Sequence, residues 1–84
     1  MSEASFSIQV NTESNAFLFN GLNIGSKHYV QVFNDVGRMV KNFAIDAKDQ
    51  HVQHPLNLNF GKYYVTVCND AWLHTQSLVV LPGY

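Results

Sequence analysis

Four histidines, one cysteine and a scatter of aspartates are the residues of this 84-residue chain whose side chains could do chemistry. His51 and His54 are three residues apart. Metal-binding pairs more often sit two apart on a strand or four apart on a helix, and no third ligand lies nearby in sequence, so no metal site is expected. His28 and His74 fall in strand-like runs, where an imidazole is expected half-buried or at the surface. Cys68 could act as a nucleophile only with a histidine held against it. Within a strand it should share a face with Tyr64 and Thr66, opposite Tyr63, Val65 and Val67, as a small packing residue. Asp35, Asp46, Asp49 and Asp70 all fall in turn-like segments, where aspartate is favoured for its bonds to nearby backbone. Gly21-x-x-x-Gly25 lacks the Lys-Ser/Thr that completes a phosphate loop. These residues predict a non-enzymatic protein without a cofactor.

The elements that would carry these side chains are strands. Phe60-Gly61-Lys62-Tyr63-Tyr64-Val65-Thr66-Val67-Cys68-Asn69 is an alternating aromatic and β-branched run, opened by a glycine. Gly61 followed by Tyr63 matches a structural corner in which the tyrosine bonds back across the entry to its strand. Phe6, Ile8 and Val10 share one face of a second run, and His28, Val30 and Val32 share one face of a third. Ala16-Phe17-Leu18-Phe19 is short and apolar. Asn34-Asp35-Val36-Gly37 is a turn signal, and the run after it, Arg38 to Ile45, breaks its alternation near Val40, which predicts a bulge. Leu22 and Ile24 should cap the core from a loop, and Ala47-Lys48-Asp49 has room for one helical turn. Pro55 demotes its segment to an edge strand or an irregular crossing, and Trp72 to Leu81 reads as the closing strand. The expectation is all-β: a seven-stranded antiparallel immunoglobulin-like β-sandwich spanning residues 5–84, after a short tail at 1–4.

Composition narrows the role. Five Lys/Arg stand against six Asp/Glu with no run of either sign, so a nucleic-acid partner is disfavoured. No apolar run approaches the roughly 20 residues of a membrane span, and residues 1–5 do not read as a secretory signal. Only 13% of residues are charged, about half the usual share, and the polar surface is expected to be amide-rich, from nine Asn and five Gln. A surface so poor in charge repels itself weakly and suits docking onto protein. Trp72 with Tyr64, Tyr29 and His74 could form an aromatic platform for sugars or a protein partner; the competing expectation is that Trp72 plugs one end of the sandwich.

From Tyr29 to Leu81 the chain resembles the C-terminal sorting domains of type IX secretion cargo in Bacteroidetes. Those domains carry a strand ending in an aromatic, then a turn of the form D-x-x-G-R-x-V-K, an L-x-L segment, a G-x-Y-x-V-x-V strand and a closing T-x-x-L-V-V strand. Val32-Phe33-Asn34-Asp35-Val36-Gly37-Arg38-Met39-Val40-Lys41, Leu56-Asn57-Leu58, Gly61 to Val67 and Thr75 to Val80 fill those places in order. The resemblance implies an immunoglobulin-like sandwich that is recognised by a protein of the export machinery through the 34–41 hairpin and the last strand. Asp35, Gly37, Arg38, Lys41, Tyr64 and Trp72 are then the candidate binding residues, with Gly61 and Tyr63 the corner. Extracellular or cell-surface placement follows if the domain rides on sorted cargo, and cytoplasmic placement if Met1 is a native start. Two other readings stand beside it: a free-standing sandwich that self-assembles or joins a larger complex, of virion or inhibitor type, and a carbohydrate-binding sandwich. In the first of these, exposed edge strands would favour a homodimer.

Overall fold

The computed structural model describes residues 6–81; the expected tail at 1–4 and the last three residues lie outside them. Seven antiparallel strands follow in order: β1 Ser7–Asn11, β2 Ala16–Asn20, β3 Lys27–Asn34, β4 Met39–Asp46, β5 His51–Pro55, β6 Gly61–Cys68 and β7 Leu73–Val80. They form a three-stranded sheet, β1-β2-β5, facing a four-stranded sheet, β4-β3-β6-β7. The links β2–β3, β4–β5 and β5–β6 cross between sheets, so the strands interleave as in an immunoglobulin-like sandwich, with β4 on the sheet of β3, β6 and β7.

Period-two patterning built these strands. Phe17 and Phe19 of β2 and Val30, Val32, Val65 and Val67 of β3 and β6 are fully buried and meet between the layers. Burying each such side chain contributes about 1.5–3 kcal/mol, an upper figure because the unfolded chain already hides some apolar area. Tyr63, on the same inner face, donates its hydroxyl to the Asn59 carbonyl at 2.9 Å, four residues upstream. The glycine–tyrosine corner is therefore formed, with Gly61 at φ +150°.

Several expectations need correction. Leu22 is in the core, but Ile24 is 63% exposed and caps nothing. Residues 47–50 contain no helical turn. Ala47 is instead buried and held by backbone bonds, its N–H donating to Ser26 and its carbonyl accepting from Gly25. His28 is neither half-buried nor on the surface: it is 0% exposed. The bulge does fall at Val40, where pairing with β3 slips between Val32–Lys41 and Phe33–Met39. β5, ending at Pro55, is an edge strand.

Candidate docking site

The outer face of the four-stranded sheet alternates with the core. Its residues in β3, β6 and β7 are Lys27, Tyr29, Gln31 and Phe33; Lys62, Tyr64, Thr66 and Cys68; and Leu73, Thr75, Ser77 and Val79. Registers align them into rows: Ala44–Tyr29–Cys68–Leu73, then Asn42–Gln31–Thr66–Thr75, then Met39–Phe33–Tyr64–Ser77. None of these three rows contains a charge. Lys27 and Asp46 bound the face at one end and Lys62 at the other. The Lys62 ammonium lies 5.5 Å from the centre of the Tyr64 ring, within cation–π range.

The end of this face beside the β3–β4 hairpin is apolar and exposed. Asn34 builds the turn: its side-chain oxygen accepts from the Val36 and Arg38 N–H groups at 3.1 and 2.9 Å. Its own N–H donates to the Arg38 carbonyl at 2.8 Å, and Gly37 takes φ +85°, a conformation that favours glycine. The turn lifts Val36 to 81% exposure. The bulge at Val40 brings Met39 opposite Phe33 on the outer face. Phe60, which is 68% exposed, Val79 and Leu81 complete the apolar end, because Asn34 pairs with Tyr63 and Gly61 with Val80.

The opposite end is polar and closed. Asn69 accepts from the Ala71 and Trp72 N–H groups through its side-chain oxygen at 2.8 and 3.0 Å. Its amide donates to the Asn23 side chain at 2.9 Å, and the Trp72 indole donates to the same oxygen at 2.7 Å. The Asn23 N–H and the Asn69 amide both approach His28 Nε2 at 3.3 Å. That nitrogen is therefore the acceptor and the ring proton sits on Nδ1, which is buried without a hydrogen-bond partner. Trp72 packs between Phe6, at 4.9 Å between ring centres, and His28, at 5.6 Å. It plugs this end of the sandwich. A depression of about 480 Å³ beside Asn23 is lined by Asn20 and His51, whose side chains bond each other at 2.9 Å.

The candidate binding residues thus divide. Asp35, Gly37 and Arg38 share the hairpin tip, and Tyr64 stands in the row beside it. Lys41 does not join them: it pairs with the buried Val32 and is itself half-buried. Trp72 is at the far end. The platform of Trp72, Tyr64, Tyr29 and His74 is not assembled, because Tyr29 and Tyr64 face outward whereas Trp72 and His74 pack against Phe6 on the inner side. Cys68 faces outward as expected, in register with Tyr29 and Leu73. His51 and His54, on opposite faces of β5, meet different partners: His54 stacks on Phe43 at 3.8 Å and 3°. Burial, and secondarily the Lys41 ammonium, hold the His54 imidazole below its ordinary pKa. No group of three or more His, Cys, Asp or Glu that could hold a metal occurs among the described residues, and no helix there is long and apolar enough to cross a membrane.

Sequence reasoning missed Met39, Val36, Phe60 and Val79 as surface-forming residues. The break in alternation at Val40 was the available signal for Met39. Compared with models of known protein families the chain matches none, and comparison with curated proteins likewise gives no match.

Proposed function

We propose that the chain is a non-catalytic protein-docking module that binds its partner through the 34–41 hairpin and the adjoining end of the four-stranded sheet, including the last strand. The observation that carries this reading is the cluster of Val36, Met39, Phe60, Tyr64 and Val79, exposed together at one end of a sheet face whose central rows lack charge. Arg38, Asp35 and Lys62 border it, so the surface has an apolar centre and a charged rim, the general anatomy of a protein interface. The order of the hairpin, corner and closing strand is similar to that of type IX sorting domains, which makes export machinery the first partner to test.

The test fuses residues 5–84 behind a reporter in a type IX-competent cell. Export of the reporter, abolished by Val36→Asp with Phe60→Ser, is the expected result. Retention of the wild-type fusion inside the cell overturns the sorting role. Export untouched by the double variant overturns docking through the hairpin end.

A further inference from the structure

We infer that the outer edge of β7, to which no other strand pairs among the described residues, pairs antiparallel with the β7 of a second copy, about a two-fold axis at Gln76. This deepens the docking reading by assigning the last strand, though not the hairpin, to a partner of the same sequence.

The four sheet edges differ. β1 lies beside β7, and the inward-facing Gln76 side chain of β7 donates to the β1 carbonyl of Ile8 at 2.8 Å, a bond that occupies part of the β1 edge and leaves the backbone groups of β7 unused. β5 has five residues and ends in Pro55. β4 carries the bulge at Val40 together with Lys41 and Asp46. Each is a device that discourages further pairing. β7, Leu-His-Thr-Gln-Ser-Leu-Val-Val, has eight residues, no proline, no lysine, no acidic residue and a regular register with β6.

The free groups of β7 can be assigned. The Trp72 carbonyl accepts from Asn69 N–H at 3.1 Å, so it points toward β6. Backbone direction alternates along a strand, which turns Leu73, Thr75, Ser77 and Val79 toward the open edge. Their side chains are also the outward ones. In an antiparallel pair, facing side chains lie on the same side of the sheet. With the axis at Gln76, Leu73 faces Val79 of the second copy and Thr75 faces its Ser77, each pair occurring twice. Apolar meets apolar and hydroxyl meets hydroxyl, and all four edge residues of each strand find backbone partners. Moving the axis to Thr75 or Ser77 leaves an end unmatched and sets Leu73 against serine or Thr75 against Val79. The polarity of 73, 75, 77 and 79 reads the same in both directions, which is what a strand needs to pair with itself in antiparallel register. The pairing would join two four-stranded sheets into one of eight.

Light scattering and sedimentation of the full chain test this. Wild type is expected at twice the chain mass. Thr75→Lys with Ser77→Lys puts like charges opposite each other twice, and should weaken the dimer on the order of a hundredfold. Thr75→Glu with Ser77→Glu should do the same, and mixing the two variants should restore a dimer. Circular dichroism checks that both remain folded; the substituted positions are exposed. A monomeric wild type at high micromolar concentration, or a lysine variant that stays dimeric, overturns the inference. Val36→Asp with Phe60→Ser should leave the dimer intact, so loss of export without loss of dimer, or the reverse, separates this pairing from docking at the hairpin end.

Discussion

The two ends of the sandwich use their surface residues in opposite ways. At the Trp72 end, Asn23, His28, Asn69 and Trp72 satisfy one another and fix the β6–β7 turn against the β2–β3 loop. At the hairpin end the polar work is done locally by Asn34, and the apolar side chains of Val36, Met39, Phe60 and Val79 are exposed. Each end contains a turn governed by an asparagine. The difference is that Asn69 also ties to residues 41 and 46 positions away, whereas the Asn34 bonds span at most four. The first end is built for cohesion, and the second is left exposed.

Breaking the cohesive end should have the largest effect. Asn69→Ala removes two acceptor bonds and the donor bond to the Asn23 oxygen, all of 3.0 Å or shorter; at about 0.5–1.5 kcal/mol for each of these three the loss should be roughly 2–4 kcal/mol. For a domain of this size that lowers Tm by about 10–30 °C in a thermal melt. Tyr63→Phe, which removes the corner bond to Asn59, should cost about 1 kcal/mol in denaturant unfolding without altering the sheet signal in circular dichroism.

A smaller effect is expected at the β4–β5 seam, which belongs to neither end. His54 has a lowered pKa in the folded protein, so the unfolded chain takes up its proton first as pH falls. The stability it contributes is complete above the unfolded value near 6.5 and declines as pH drops from there through the lower folded value. A Tm series from pH 7.5 to 5 should fall less steeply in His54→Asn than in wild type. At the hairpin end, Val36→Ser and Arg38→Ala should change stability by no more than about 0.5 kcal/mol, because neither side chain is buried.

The strands were legible because burial on one face leaves a period of two, and the corner because Gly61 and Tyr63 are close in sequence. The Asn34 turn was legible for the same local reason. The amide bonds were not. Nine asparagines read as polar surface, yet Asn15 and Asn57, both at positive φ, bond each other across 42 residues, and Asn23 and Asn69 across 46. Nothing in an amide side chain announces a distant partner. Lys41 was grouped with Arg38 as part of one exposed hairpin, but the extra residue at Val40 sets Met39 opposite the outward Phe33 and Lys41 opposite the buried Val32, whereas simple alternation assigns both to one face. Trp72 was separated from Tyr64 by fold rather than spacing: one sits before β7 against Phe6, the other on the outer face of β6.

The division between a cohesive end and a spare end is tested most directly by a paired thermal melt. Asn69→Ala is compared with the triple variant Val36→Ser, Met39→Ser and Phe60→Ser under identical conditions. The expected result is a Tm loss of about 10–30 °C for the first and a change of only a few degrees for the second. A triple variant that loses as much as Asn69→Ala would contradict the account, because its apolar side chains would then be holding the fold together rather than standing free of it.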